Sequence, residues 1–250
     1  MSSKHPSDAV YGDQFFSYTD ALSRDSAAAI VPILARLVKG VTSVADFGCA
    51  RGTWLAAWRA AGVTDVAGID GPYVDPDTLL IPRDQFHAMD MNADINLARR
   101  FDLVYSFEVA EHLLPERSED FVASLTRHAD IVLFSAASPG QGGLNHINER
   151  PYEAWRDLFR SHGFDVYDAV RPTIQALTGA AYWYRYNLVL YANHAGSSRL
   201  SPDARAARVP DNRPIPDVSP KLFRLRKMLI RALPRRVQDG LARAKAASTA

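Results

Sequence analysis

The eleven residues VADFGCARGTW, from Val44 to Trp54, constrain the fold of this chain most strongly. Their apolar start predicts a buried strand, and the small residues Gly48, Ala50 and Gly52 predict a tight turn that leads into a helix. A strand, a glycine turn and a helix are typical of nucleotide sites, because a backbone without side chains lets a ligand approach closely. Asp46, inside the end of the strand, would repel phosphates and favour a ligand that carries an ammonium or a sulfonium.

This run resembles motif I of the class I S-adenosylmethionine (SAM) dependent methyltransferases, and the resemblance extends over roughly residues 30–192. It implies an α/β Rossmann-like sandwich with a seven-stranded, mainly parallel sheet and helices on both faces. It also implies that SAM is the cofactor and that Asp46, Gly48, Ala50 and Gly52 shape the pocket for its methionine part. Ala50 departs from the family pattern, in which the middle residue of the turn is usually glycine.

The second predicted strand, residues 65–69, ends in Asp70, which we interpret as the residue that binds the ribose hydroxyls. Ligands of open parallel sheets lie beyond the carboxyl ends of the strands, and an acid about 20 residues past the glycine turn suits a ribose. A helix N-cap or turn aspartate is the alternative. The remaining expected cofactor residues, some by position and some by resemblance to the family, are Gly71, Tyr73 over the adenine, Asp90 and Met91 at the adenine edge, and Phe107 and Glu108.

The phrase FDLVYSFEVAEHL, residues 101–113, predicts a fourth strand and resembles the fourth motif of the same family. If a helix begins at Glu108, then Glu108, Glu111 and His112 share one of its faces. His146 follows the fifth predicted strand, whose carboxyl end is adjacent, so these side chains are expected to converge.

Two mechanisms follow from that expected cluster. His146 or His112 can act as the general base that takes a proton from a hydroxyl, although His112 also suits a structural hydrogen bond. Alternatively, Glu108, Glu111, His112 and His146 bind Mg²⁺ or Mn²⁺. The metal alternative resembles the pattern of small-RNA 3′-terminal 2′-O-methyltransferases and is similar to quinone-biosynthesis O-methyltransferases, yet many class I enzymes share the motif and use no metal.

The acceptor is expected at the polar loop of residues 140–149, and the candidate contacts are Asn145 and Glu149 of this loop together with Glu111 after the fourth strand. Such groups suit a sugar, a glycan or a small polar metabolite, although ordinary loop and N-cap chemistry explains them too. The predicted reaction is O-methylation. The alternatives are a small-molecule N-methyltransferase, an NAD(P)-dependent oxidoreductase, and a non-catalytic SAM-binding protein recruited by its tail.

The distribution of charge argues against nucleic acid as a partner of the main domain. Residues 196–250 contain 13 Lys or Arg against 4 Asp, whereas the preceding 195 residues carry a net charge of −8. A negative surface repels phosphates. The single cysteine, Cys49, excludes an internal disulfide, and the start of the chain has no signal-peptide pattern, so a cytoplasmic location is expected, with the inner membrane surface as an option.

The predicted organisation has four parts: an N-terminal lid segment (1–25), the methyltransferase domain (26–194), a Pro-rich extended linker (195–220) and a basic amphipathic tail (221–250). The aromatic residues of the first part can instead pack on the domain edge. In the tail, Leu222, Leu225, Leu229 and Leu233 form an apolar stripe among basic residues. That pattern fits an anionic membrane surface, docking on the domain, a second subunit or a disordered tail. The oligomeric state is not predicted.

Overall fold

The computed structural model describes residues 13–234, 236–238 and 240–241, with side chains from residue 21 onward. The strands are β1 (Ser43–Phe47), β2 (Asp65–Asp70), β3 (Phe86–Ala88), β4 (Leu103–Phe107), β5 (Ile131–Ser135), β6 (Asp165–Tyr167) and β7 (Val189–Ala192). The helices are α1 (Asp13–Leu37), α2 (Thr53–Ala60), α3 (Ser118–His128), α4 (Tyr152–Ser161), α5 (Arg171–Ile174), α6 (Tyr182–Asn187), α7 (His194–Ser197), α8 (Pro202–Ala206) and α9 (Lys221–Arg231).

The seven strands form one sheet in the order β3-β2-β1-β4-β5-β7-β6. β1 to β5 run parallel, and β7 is antiparallel to both β5 and β6. The predicted sheet and its antiparallel closing pair are therefore confirmed. The order reverses beside β1, so the carboxyl ends of β1, β2 and β4 meet around a crevice, which is where open α/β sheets hold their ligands.

Apolar residues cover both faces of the sheet, as parallel strands require. On one face, α1 and α2 contribute the buried side chains of Ile30, Leu34 and Trp58. On the other face, α3 and α4 contribute Phe121 and Phe159. The sheet is thus fixed on both sides, and only the ends of its strands are left to form a site.

The N-terminal part differs from its prediction over the residues that the structure describes. Residues 13–25, assigned to a lid, are the first turns of the continuous helix α1. Residues 1–12 lie outside the described part of the chain, so the lid itself stays a prediction.

Residues 195–220 pack on the domain and do not form the extended linker that their prolines predicted. Leu200 and Ala204 are fully buried, and Val209 and Ile215 are nearly so. Isolated bridges join Leu200 to Val38 and Arg208 to Tyr167. The physical reason is that burying a few well-spaced apolar side chains against the domain lowers the free energy more than the local preference of the prolines for an extended backbone does. Within the described part of the chain, no helix is long and apolar enough to cross a membrane.

Candidate functional site

The turn between β1 and α2 is built from residues in the left-handed region of backbone conformation. Gly48, Ala50 and Gly52 have φ angles of 95°, 47° and 83°. A Cβ on Gly48 would lie 2.2 Å from a methyl carbon of Val109, so no side chain fits there. Ala50 tolerates its unfavourable φ because its N–H donates a 2.6 Å hydrogen bond to Oδ2 of Asp70.

Asp70 ends β2 and faces this turn. Its carboxylate also accepts hydrogen bonds from the N–H of Gly71 at 2.7 Å and from the hydroxyl of Tyr73 at 2.5 Å. Asp70 is buried, whereas Tyr73 is half exposed, and its ring lies directly over Gly71. The structure therefore brings the predicted ribose residues and the glycine turn together.

Asp46 is a second buried carboxyl group, at the end of β1. Burial and the nearby charge of Asp70 raise its pKa well above the ordinary value, and the neighbouring hydroxyl of Tyr105 opposes that shift. Burial likewise raises the pKa of Asp70. Two buried carboxylates beside one turn favour a cation, because a positive ligand would offset both the burial and the repulsion.

The expected adenine residues follow β3. Met89 donates its N–H to the carbonyl of Asp70, which places this segment beside the end of β2. Asp90 is exposed, and its Oδ1 accepts a hydrogen bond from the N–H of Asn92. The Met91 side chain lies in the core, so only its backbone is available to a ligand. Phe107 is also buried, with its ring 4.7 Å from that of Trp54.

The chain after β4 does not form the predicted helix. Glu108 has a φ of 56°, and Ala110–His112 form a single 3-10 turn. A left-handed residue cannot begin an α-helix, so Glu108, Glu111 and His112 share no helical face. Strained non-glycine residues of this kind concentrate at functional sites.

Glu108 lies in a network of buried amides. Gln141 donates to its carboxylate at 3.0 Å, and Asn187 donates at 3.1 Å. Asn187 also donates to Gln141 at 2.9 Å and accepts from the hydroxyl of Tyr152 at 3.0 Å. Burial raises the pKa of Glu108, although the hydrogen bonds from Asn187 and Gln141 oppose the shift.

Glu111 is fully buried beside Glu108. Burial and the charge of Glu108 raise the pKa of Glu111 well above its ordinary value. Oε1 of Glu111 accepts from the N–H of Ala137, whereas Oε2 has no donor partner among the described residues.

His112 is held neutral. Burial and the neighbouring imidazole of His146 lower its pKa to about 3. The backbone of Asn145, a residue with a φ of 56°, lies beside the ring, and Nδ1 has no partner among the described residues. The rings of His112 and His146 meet edge to face, with centroids 4.9 Å apart.

His146 is oriented by Glu149. Its Nδ1 lies 2.9 Å from Oε1 of Glu149, whose carboxylate also accepts from the N–H groups of Gly140 and Gly142. Burial opposes ionisation of Glu149, but His146 and the two amides outweigh it and lower the pKa of Glu149. An ionised Glu149 keeps the imidazole proton on Nδ1 and leaves Nε2 as the proton acceptor.

A cluster of possible metal ligands lies at the same place. Single ligand atoms of Glu111, His112 and His146 all lie within 4.8 Å of one another. Glu108, predicted as a fourth ligand, is outside this group, and its carboxylate is hydrogen-bonded to Gln141 and Asn187. The buried Glu111 Oε2 and His112 Nδ1, which lack partners among the described residues, fit a divalent cation.

The predicted acceptor contacts have different surroundings. The Asn145 side chain is exposed, Glu149 is bonded to His146 and the loop, and Glu111 is buried. Sequence reasoning missed the roles of Gln141 and Asn187. Gln141 stands in a glycine-rich loop whose polarity was a usable signal, whereas nothing in the aromatic run around Asn187 indicates its contact with Glu108.

The profile of a family described as "Methyltransferase domain" matches residues 22–169, which is more than half of the chain. No significant match was found among the curated proteins.

Solved structures share the architecture. DesVI of Streptomyces venezuelae is 16% identical with a TM-score of 0.52, and the match covers 76% of this chain and all of DesVI. Magnesium protoporphyrin IX methyltransferase (ChlM) of Synechocystis PCC 6803 with bound SAM is 16% identical with a TM-score of 0.50, over 74% of this chain and 88% of that one. At such identities the likeness shows a common fold.

Proposed function

This chain belongs to the class I SAM-dependent methyltransferase family, and on that premise we propose that it methylates a hydroxyl oxygen of a sugar, a glycan or a small polar metabolite. The reaction class follows from the family. The acceptor and the roles of individual residues are our proposal, and they rest on the arrangement of side chains at the ends of β1, β2, β4 and β5.

The cofactor side of the proposal rests on two carboxylates. Asp70 would bind the ribose hydroxyls, because hydrogen bonds from the turn and from Tyr73 hold its carboxylate in place at the carboxyl end of β2. Asp46 would face the cationic methionine part, where a positive charge offsets its burial. Gly48 and Gly52 supply the left-handed backbone of this turn and let the side chains of Val109 and Ile81 pack against it.

The observation that carries O-methylation is the pairing of His146 with Glu149. Alcohols are poor nucleophiles, so a base that removes the proton as the oxygen attacks contributes about 10²–10⁴-fold in rate. The acceptor oxygen attacks the methyl carbon, the carbon–sulfur bond breaks, and S-adenosylhomocysteine leaves. The hydroxyl proton passes to Nε2 of His146, while the ionised Glu149 stabilises the imidazolium that forms.

A divalent cation is a second candidate, because Glu111 Oε2 and His112 Nδ1 are buried without partners among the described residues. Glu111, His112 and His146 would hold Mg²⁺ or Mn²⁺, and the two imidazoles favour Mn²⁺. When bound, such an ion would lower the pKa of the acceptor hydroxyl. Glu149 would then orient His146 as a carboxylate behind a metal ligand.

The test is transfer of labelled methyl from SAM to nucleotide sugars, glycans, quinols and small RNAs, each with and without a chelator. An O-methylated carbohydrate that forms equally in chelator supports His146 as base. Loss of transfer on chelation, restored by Mn²⁺, supports the ion instead, and Mn²⁺ titration followed by electron paramagnetic resonance of wild type and His112→Ala checks binding directly.

Two other outcomes would overturn the proposal. A product methylated on nitrogen would make the chain an N-methyltransferase. SAM binding without transfer to any acceptor class would favour a non-catalytic role. In each assay, Glu116→Gln, a change at an exposed glutamate, serves as the matched control for changes at the site.

A further inference from the structure

Helix α9 presents an apolar stripe to the exterior of the described structure. Its members are Leu222, Leu225, Met228 and Leu229 of the helix and Leu233, two residues beyond its end, and they are 81%, 47%, 62%, 61% and 37% exposed. Their spacing of three and four residues places them on one side of the helix. A contiguous exposed stripe of large apolar side chains marks a contact with something apolar.

The opposite side of α9 is docked on the domain. Lys227 is buried, and its Nζ donates to Asp217 at 2.7 Å and to Ser138 at 3.1 Å. The ring of Phe223 packs on those of Tyr182 and Tyr186 at 5.4 and 5.7 Å. The tail helix is therefore fixed in orientation, with its stripe turned away from the domain.

This docking joins α9 to the loop that carries the proposed base. Arg226 donates to the carbonyl of Gln141 at 3.0 Å. A Cβ on Gly140 would lie 2.1 Å from the carbonyl oxygen of Lys227, so the two backbones are in direct contact. Gly140 also donates to Glu149, the partner of His146. Whatever binds the stripe is thus held close to the acceptor side of the site.

The charge of α9 indicates which kind of surface the apolar stripe contacts. The helix contains five Lys or Arg and no acidic residue. Of these, Lys221, Arg224 and Arg231 are exposed, and they lie beside the stripe on the helical projection. An apolar stripe flanked by cations is the pattern of a helix that lies in the interface of an anionic bilayer. A second copy of this helix would bring like charges together.

We propose that α9 docks this protein on an anionic membrane surface and so presents the acceptor loop to a lipid-linked acceptor. The proposed membrane contact depends only on the observations made on α9. The proposed acceptor is a hydroxylated group that is carried on a lipid anchor. This part rests on the proposed function and makes its acceptor more specific.

The first experiment is sedimentation of the full chain with phosphatidylcholine vesicles that contain or lack phosphatidylglycerol. We expect binding to the anionic vesicles alone, weakened by added salt. The combined variant Leu222→Gln, Leu225→Gln, Leu229→Gln should lower the partition coefficient at least about tenfold, because three apolar side chains no longer enter the bilayer. The matched control is Leu114→Gln, since Leu114 is 44% exposed and lies outside α9.

Binding equal to wild type in the triple variant, or equal binding to vesicles without anionic lipid, would overturn the proposal. A dimer in lipid-free solution that the triple variant converts to a monomer would also overturn it, because the stripe would then be a subunit interface. SAM affinity, measured by calorimetry on the same samples, should be unchanged, which verifies that the variant is folded.

Vesicle binding by α9 and methyl transfer at the site can be tested separately. Vesicle binding needs no methyl transfer, so a chain that binds vesicles yet methylates nothing would overturn the proposed function and leave the membrane contact standing. A chain that methylates soluble acceptors but does not bind vesicles would overturn the membrane contact and leave the proposed function standing. A lipid-linked saccharide should be methylated faster than its soluble headgroup by wild type, and this advantage should disappear in the triple variant.

Discussion

Nδ1 of His146 lies 2.9 Å from Oε1 of Glu149, three residues farther along the chain. The same carboxylate accepts hydrogen bonds from the N–H groups of Gly140 and Gly142. One side chain therefore fixes both the imidazole and the loop around it. Glu149, predicted as an acceptor contact, is in this arrangement hydrogen-bonded to His146 and to the loop, and we propose that it positions the imidazole.

We expect Glu149→Gln to lower kcat about 10–100-fold, the usual effect of removing a carboxylate that orients a functional histidine. Glutamine keeps the size of the side chain but loses the charge that stabilises the imidazolium. The measurement is kcat and KM with the acceptor found in the labelled-methyl assay, together with the Kd for SAM. His146→Ala should lower kcat further, by about 10²–10⁴-fold.

The control for that pair of variants is Glu116→Gln, which should resemble wild type because Glu116 is exposed. Unchanged kcat in Glu149→Gln would contradict the positioning role. Weaker SAM binding, seen as a higher Kd, with unchanged kcat would instead indicate that Glu149 contributes to cofactor binding.

Gly143→Ala should displace the His146 ring. A Cβ at Gly143 would lie 2.1 Å from Nε2 of His146, which is too close for two non-bonded atoms, so the imidazole has to shift. Displacements of this order reduce rates about 10²-fold when they affect a reacting group. We expect that loss in kcat with SAM binding unchanged. Gly179→Ala is the matched control, since its added Cβ meets nothing within 4 Å; equal kcat in both variants would exclude a role for this His146 position.

Asp70→Ala should weaken SAM binding about 10–100-fold, the range expected for hydrogen bonds to a charged group. It removes the acceptor for the N–H groups of Ala50 and Gly71 as well as the proposed ribose contact. Tyr73→Phe is the informative control, because it removes only one donor to that carboxylate. Calorimetry should give an unchanged or lower Kd for Tyr73→Phe. A loss as large as that of Asp70→Ala would assign the ribose contact to the tyrosine hydroxyl.

Asp102→Asn should lower the free energy of unfolding by about 1–3 kcal/mol at neutral pH. Asp102 accepts hydrogen bonds from the N–H and hydroxyl of Thr42 and forms an ion pair with Arg199 at 2.9 Å. Burial opposes ionisation, but the contacts with Thr42, Arg199 and Ser43 outweigh it and lower the pKa of Asp102 below its ordinary value of 3.8.

The sign of the pH effect follows from that lowered pKa. The stabilisation is fully present above 3.8 and is lost as the pH falls through the lower pKa of the folded state. Denaturant unfolding of wild type and Asp102→Asn should therefore differ at neutral pH and converge in acid. Asp77→Asn is the control, because its ion pair with Arg83 is long and exposed. A difference that persists in acid would assign the effect to packing.

The sequence by itself determined the sheet, because its signals are local. An apolar run from Val44 to Phe47, small residues in the next turn and a helix after it specify the first strand–turn–helix unit without reference to the rest of the chain. The same kind of pattern located β5 and α4, and the confirmed fold follows from packing those units on both sides of one sheet.

The cluster at the strand ends required tertiary structure. Glu111 and His146 are 35 residues apart, and their meeting depends on the left-handed backbone of Glu108 and Asn145, which no periodic pattern encodes. The buried amides of Gln141 and Asn187 became visible only through their contacts with Glu108. The roles assigned to the individual site residues stay predictions.

The C-terminal quarter of the chain shows most clearly what local sequence determines and what tertiary contacts decide. Its sequence determined that α9 is amphipathic and basic, since helical spacing is a local property. Only the tertiary structure decided which side of α9 is docked, because the hydrogen bond from Lys227 to Ser138 joins segments 89 residues apart in the chain. The prolines of residues 195–220 predicted an extended linker, yet the burial of Leu200 and Ala204 against the domain prevailed, because hydrophobic burial is non-local and outweighs a local preference.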